Sequence, residues 1–331
     1  MKFFITGGAG FIGSHLAERL LARGDQVLIL DDLSTGEMAN IAHLIGRPGF
    51  DYRIGSVLDV PLVTELVDRC DVTFHLAAAV GVRLIVERPV HTIETNTKGT
   101  EVVLGAAAKK GRLVVVASTS EVYGKSTNIP FREDQDLQLG PTTHSRWAYA
   151  CSKALDEWLA LAYLREKQLP VIVVRFFNTV GPRQTGAYGM VLPGFAAQAI
   201  SGKPITVYGT GNQSRCLGHV NDAVEALLRL VALPEAIGDV FNIGATQEVS
   251  MNELAELVRV TAGSSSDIVH VPYAEAYAAG FEDMQRRVPD VSKLHRVTGF
   301  KPSIPLDQIV RDVVADQRKR LGLDSNAPAG I

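Results

Sequence analysis

The chain has 331 residues, 46% hydrophobic and 21% charged, which is enough apolar material for a large core in one or two domains. Its 33 basic and 36 acidic residues leave a net charge of −3, which removes any electrostatic case for nucleic acid or an anionic membrane surface. Three widely spaced cysteines, Cys70, Cys151 and Cys216, offer neither a disulfide framework nor a metal-ligand spacing, and fit a reducing compartment.

The N-terminal "MKFFITGGAGFIG" has its apolar stretch cut by Gly7, Gly8 and Gly10, so it reads as a strand at 2–6 and a turn rather than as a signal peptide. No apolar run reaches the ~18 residues of a membrane span, and a soluble, cytoplasmic protein is expected. Short apolar runs at 26–30, 72–77, 112–118, 170–178 and 239–244 predict further strands. Helix-period segments at 12–23, 60–69, 91–110 and 146–167 lie between them. Strands apolar on both faces, alternating with helices, predict an α/β fold: a Rossmann-type doubly wound parallel sheet. After Asn178 the texture changes to loops and short strands, a helix at 221–233 and two amphipathic helices within about 250–318. The expected organisation is a cofactor-binding Rossmann domain over 1–178, rejoined by 220–245. A smaller, discontinuous substrate domain is expected from 179–219 and 246–320, and a frayed tail at 321–331.

Gly7, Gly10 and Gly13 follow the first strand and open the first helix. That spacing suits a tight turn, close backbone approach to a pyrophosphate, and phosphates at the positive end of the helix. Asp31 ends the second strand, 18 residues past Gly13. An acid there accepts from ribose hydroxyls and repels a 2′-phosphate, which favours NAD over NADP, and Asp32 could share the role. The competing reading is a glycine-rich turn with a helix-capping Asp.

Tyr149 and Lys153 stand four apart in "WAYACSKALDEW" and share a helical face. A strand ends at Ser118–Thr119, and ligands of open α/β sheets bind at strand carboxyl ends. A tyrosine beside a lysine and a nicotinamide cation would have its pKa depressed, so that the phenolate acts as a base near neutral pH. The competing reading is a packing Tyr beside a surface Lys.

Together, GGAGFIG, LDD, FHLAA, NTKGT, STSEVYG, the Tyr149/Lys153 pair, RFFNTVGPR, VYGTGNQSR and RRVPD resemble one family across residues 3–320. It is the extended short-chain dehydrogenases/reductases that modify nucleotide sugars: NAD-dependent epimerases, dehydratases and decarboxylases. The resemblance implies that Tyr149 takes the proton of the sugar 4-hydroxyl, Lys153 binds the nicotinamide ribose and tunes Tyr149, and Thr119 hydrogen-bonds O4. It implies cofactor contacts from Phe11, Ile12, Ser56, Val57, Leu76, Ala77, Ala78 and Asn96, beside Gly7, Gly10, Gly13, Asp31, Asp32, Tyr149 and Lys153. Substrate contacts would come from Ser120, Arg83, Asn178, Val191, Val207, Tyr208, Arg215 and Arg287. Of these, Asn178 and Arg215 would hold the diphosphate, Val207 and Tyr208 flank the base, and Arg287 reach the diphosphate or the C6 substituent. No metal is expected.

The Thr-Ser-Glu order of residues 119–121 resembles UDP-glucuronate decarboxylases and GDP-mannose dehydratases. Glu121 is therefore read as a C5 base or as an orienter of the C6 group and a water, against the alternative of a residue that starts the next segment and caps backbone amides. The leading expectation is an NAD-dependent lyase acting on a UDP-sugar after oxidation at C4. The rivals are a 4-epimerase of UDP-hexose or UDP-glucuronate, and a non-catalytic NAD sensor. The family also implies a homodimer through a four-helix bundle built from helices near 97–110 and 146–166. One departure is Ser56, where the family often has Asp; Asp59 is expected to cap the following helix. His75 and Cys151 are expected to pack rather than react.

Overall fold

The computed structural model describes residues 1–81, 85, 87–144, 146–186, 190–272, 284 and 286–323. The chain builds β1 (Lys2–Thr6), α1 (Phe11–Ala22), β2 (Gln26–Asp31), β3 (Phe50–Ile54), α2 (Val60–Asp68), β4 (Val72–His75) and α3 (Pro89–Ala108). It continues with β5 (Leu113–Thr119), α4 (Arg146–Lys167), β6 (Val171–Phe176), β7 (Thr179–Val180), α5 (Val191–Ile200), β8 (Ile205–Tyr208), β9 (Ser214–Cys216) and β10 (Gly218–His219). The last elements are α6 (Val220–Leu230), β11 (Val240–Ile243), β12 (Glu248–Ser250), α7 (Met251–Thr261), β13 (Ile268–Val271), α8 (Ser292–Thr298) and α9 (Leu306–Arg320).

Seven strands form one parallel sheet in the order β11-β6-β5-β4-β1-β2-β3. Neighbouring side chains along each strand point to opposite faces, so Phe3 and Ile5 enter one core layer and Phe4 the other. On the first face they meet Leu16 and Leu20 of α1 and Val224 and Leu227 of α6. On the second, Phe4, Val114 and Val116 meet Leu66 of α2, Val103 and Leu104 of α3 and Ala160 of α4. Each of these large side chains contributes about 1.5–3 kcal/mol by leaving water, which is why both faces must be covered by helices. A third cluster joins Phe195 of α5, Val207 of β8, Leu254 of α7 and Val310 and Val313 of α9. The segment 220–243 does return to the sheet, because β11 pairs with β6.

Three features differ from the sequence reading. β3 was not expected: it is an edge strand with Asp51 and Arg53, half exposed, and so lacks the apolar run that marks the inner strands. Among the described residues after 250 there are three helices, α7, α8 and α9, where two were expected; α8 has seven residues, too few to show a periodicity. The strand expected at 72–77 stops at His75, where Leu76 and Ala77 turn to bond Thr6 instead. Two helix starts follow local chemistry: Asp59 accepts from the Leu62 N–H and caps α2 as expected, and Ser250 with Glu253 forms a capping box at α7. Residues 324–331, most of the tail expected to fray, lie outside the described residues.

Candidate active site

The carboxyl ends of β1, β2, β4 and β5 lie along one edge of the sheet, and the topological switch falls between β1 and β4. There the β1–α1 turn is packed too closely for side chains. Gly7 has φ +71°, and a Cβ on it would stand 2.9 Å from the Ala77 nitrogen. A Cβ on Gly13 would stand 2.2 Å from the Gly7 carbonyl oxygen. Gly10 caps α1 without a side-chain hydrogen bond, and no acidic residue occupies the first turn, so the helix start carries uncompensated positive potential.

Asp31 closes the far side of this cradle. It is 7% exposed and accepts from the Ala9 N–H at 2.9 Å and the Leu33 N–H at 2.8 Å. Burial pushes its pKa up, and the two N–H bonds pull it back. A carboxylate offers about four acceptor positions, so capacity remains for ribose hydroxyls. Gly36 keeps the approach clear, since a Cβ there would lie 2.8 Å from Asp31 Oδ1. Asp32 is exposed and accepts the Ser34 N–H. The glycine turn, the open helix start and this buried acid fit a dinucleotide. Gly13→Ala should weaken NAD binding about 10-fold or more, because the clash must be relieved by moving the turn. Calorimetric titration with NAD checks this, and unchanged affinity in the folded variant would refute it.

The other expected cofactor residues divide by exposure. Phe11 and Ile12 are partly buried against the first core layer, and Leu76 joins them. Val57 is 7% exposed and packs on α3 at Gly99, while the Ser56 hydroxyl accepts the Leu58 N–H. Ala77 donates its N–H to Thr6 Oγ1, and Ala78 follows it on the loop. Asn96 is 1% exposed; its Oδ1 accepts the Ala79 N–H at 2.8 Å and its Nδ2 donates to Ser152 Oγ at 3.1 Å. Ser152 in turn donates to the Tyr149 carbonyl, so Asn96 ties the loop after β4 to the α4 turn that carries Tyr149.

The stretch "STSEVYG" ends β5 and becomes a short 3-10 turn, Ser120–Tyr123, capped by Thr119, whose hydroxyl accepts the Glu121 N–H. Opposite it, Tyr149 is 7% exposed and its hydroxyl is hydrogen-bonded to Thr119. Burial, then the charges of Glu121 and Asp156, push the phenol above its ordinary pKa, against the Thr119 bond. The depression expected from the sequence involves a nicotinamide cation beside the ring, whose charge would oppose these effects. Of the two carboxylates, only Glu121 was named from the sequence. The other, Asp156, accepts from Lys153 Nζ at 2.6 Å, with both side chains essentially buried (0% and 2% exposed). Burial raises the Asp156 pKa and Lys153 lowers it. A buried ammonium needs such a partner, and Asp156 is the site residue that sequence reasoning missed. Its signal was present: three residues after Lys153, it shares the same helical face.

Ser120 is buried. Arg287 is 9% exposed and approaches Glu121 Oε1 at 3.4 Å, so two residues 166 apart in sequence meet beside Thr119 and Tyr149. Asn178 has φ +26°, its carbonyl accepts the Gly218 N–H, and its buried Nδ2 has no hydrogen-bond partner among the described residues. Arg215 is 9% exposed and donates to the Ser214 carbonyl. Val191, at the start of α5, and Tyr208 are 41% and 38% exposed. Val207 is fully buried in the C-terminal core, because alternation along β8 turns Ile205 and Val207 inward, while Thr206 is partly exposed and Tyr208 exposed. Arg83 lies outside the described residues.

His75 packs as expected: it is buried between the Thr6 and Thr100 hydroxyls, and burial with the Lys153 charge pushes its pKa down to about 3. Cys151 does not; it is exposed on the outer face of α4. Among the described residues no group of three or more His, Cys, Asp or Glu side chains is placed to hold a metal ion, and no helix is long and apolar enough to cross a membrane.

Residues 3–244 match the model of the NAD dependent epimerase/dehydratase family. The chain is 44% identical, over 95% of its length and 96% of the relative's, to a UDP-N-acetyl-alpha-D-glucosaminuronate decarboxylase of Bacillus cytotoxicus. It is 36% identical, over 97% of its length and 69% of the relative's, to UDP-glucuronic acid decarboxylase 2 of Arabidopsis thaliana. The crystal structure of a dTDP-glucose 4,6-dehydratase from Streptomyces venezuelae with NAD bound superposes with a TM-score of 0.88 at 28% identity, covering 98% of this chain and 99% of that one. With the glycine cradle, the buried Asp31 and the Thr119–Tyr149–Lys153 cluster in place, these likenesses agree: the chain belongs to the NAD dependent epimerase/dehydratase family, and NAD is its cofactor.

Proposed function

We propose that this enzyme decarboxylates a UDP-linked uronate sugar after oxidising it at C4. The observation that carries the reading is the Glu121–Arg287 pair, held at 3.4 Å beside Thr119 and Tyr149. An arginine there suits a carboxylate on C5, and the relatives named for uronate decarboxylation support that choice. Bound in the glycine cradle, NAD would supply the acceptor, and later the donor, of the C4 hydride. Tyr149 Oη takes the 4-hydroxyl proton, Thr119 holds O4, and Lys153 offsets the negative charge that develops on Tyr149. The resulting β-keto acid loses CO2, Glu121 and Arg287 orient the carboxylate and the proton that replaces it at C5, and Tyr149 returns its proton to O4.

In the same reading, residues 1–178 with 220–245 bind NAD and residues 179–219 with 246–320 bind the nucleotide sugar. Asn178, Arg215 and Arg287 serve the diphosphate and sugar, Tyr208 the base, and the enzyme works in the cytoplasm. The test is incubation with NAD and either UDP-glucuronate, UDP-N-acetylglucosaminuronate or UDP-glucose in D2O, with products read by mass and NMR. Loss of one CO2 with deuterium at C5 is expected from a uronate. A mass-neutral product inverted at C4 would replace this reading with that of a 4-epimerase, which the fold equally supports.

We further propose a homodimer through α3 and α4. Cys151, Leu155 and Trp158 lie on one stripe of α4, with Leu155 48% and Trp158 60% exposed, and Ile93 of α3 is 42% exposed. Trp158→Asp should convert a dimer to a monomer in size-exclusion chromatography with light scattering, and a monomeric wild-type protein would end the proposal.

A further inference from the structure

Asn242 sits on β11, the edge strand of the main sheet, and is fully buried. Its outward N–H donates to Glu133 Oε1 at 2.9 Å, which closes the edge at that point. Its side-chain amide is used at both ends. Oδ1 accepts from the Tyr123 hydroxyl at 2.8 Å, and Nδ2 donates to the carbonyls of Phe131 at 2.9 Å and Asp290 at 3.3 Å. Tyr123 ends the turn that carries Glu121. Phe131 lies alongside the stretch that carries Arg287: its N–H donates to Val288 O at 2.7 Å, and its carbonyl accepts the Asp290 N–H at 2.8 Å. The Tyr123 and Phe131 rings stack at 4.6 Å. One amide therefore spans the two chain segments whose separation sets the Glu121–Arg287 distance, and a buried amide with every polar atom satisfied tolerates little displacement.

We propose that Asn242 is a positioning residue that holds Arg287 against Glu121, and through that pair governs the step that follows oxidation at C4. This rests on the decarboxylase reading for the chemistry, but not for the geometry. Asn242→Asp keeps the acceptor for Tyr123 and turns the two donors into a carboxylate facing two carbonyls and Glu133. Tyr123→Phe removes only the hydroxyl and keeps the ring stack, and serves if the first variant does not fold.

The first readout needs no substrate. Hydrogen exchange at the Phe131 and Asp290 amides should accelerate about 10-fold or more in either variant, with β6 amides and NAD affinity unchanged. The second uses a uronate that the wild-type enzyme decarboxylates. CO2 release should slow about 10- to 100-fold, with NADH accumulating because oxidation outpaces the following step. Unchanged exchange at Phe131 and Asp290 would overturn the inference. So would faster exchange with wild-type CO2 release and no NADH accumulation. A wild-type protein that releases no CO2 from any uronate would instead count against the decarboxylase reading, while the exchange measurement still decides the positioning.

Discussion

Tyr149→Phe is expected to remove oxidation at C4 while NAD still binds. The ring is nearly buried, so phenylalanine keeps its packing and deletes only the oxygen bonded to Thr119. Loss of a positioned proton acceptor lowers the rate about 10²- to 10⁴-fold. The effect belongs at the upper end, because the described side chains around the ring offer no equivalent replacement. Glu121 contributes a charge that raises the phenol's pKa, and Asp156 is engaged with Lys153. The measurement is NADH formation in a single turnover, with the NAD dissociation constant determined on the same sample. A variant that oxidises substrate within about tenfold of wild type would remove Tyr149 from the reaction. So would a loss explained entirely by weaker NAD binding.

Glu121→Gln separates the two halves of the reaction. It keeps the shape of the turn and the N–H bond to Thr119, and deletes a negative charge from beside both Tyr149 and Arg287. Release of CO2 should fall about 10²-fold if Glu121 orients the carboxylate or moves the C5 proton. Oxidation at C4 should persist. Its pH dependence should also move in a defined direction. The Glu121 charge raises the Tyr149 pKa by opposing the phenolate, so removing that charge makes the proton easier to lose. The acid limb of the oxidation step therefore shifts to lower pH in the variant. NADH formation in a single turnover for the oxidation, and CO2 release with deuterium at C5 for the following step, each followed from the acid to the alkaline side, check both halves. Wild-type CO2 release in Glu121→Gln would reduce Glu121 to a structural residue of the turn.

The inner strands were legible because each is a short apolar run, and a strand buried on both faces of a parallel sheet has no other composition available to it. β3 escaped for the converse reason: at an edge, half exposed, it can carry Asp51 and Arg53 without cost. Of the candidate site, the glycine turn and Asp31 were legible since both answer local demands, φ +71° at Gly7 and an acid at the end of β2. Val207 and Tyr208 are neighbours in one motif, but alternation along β8 sends their side chains to opposite sides, which a motif does not record.

By itself the sequence determined the parallel α/β sheet, the dinucleotide turn, the Tyr149–Lys153 spacing and the family. Each depends on residues close together in the chain, whose geometry one turn, one strand or one helix dictates. Tertiary structure alone decided that Arg287 meets Glu121 across 166 positions and that Asn242 joins three distant segments. Those contacts come from how the sheet edge and the C-terminal segments pack. The ionic and hydrogen-bonding strength of a polar side chain depends on burial, which no local pattern of residues specifies.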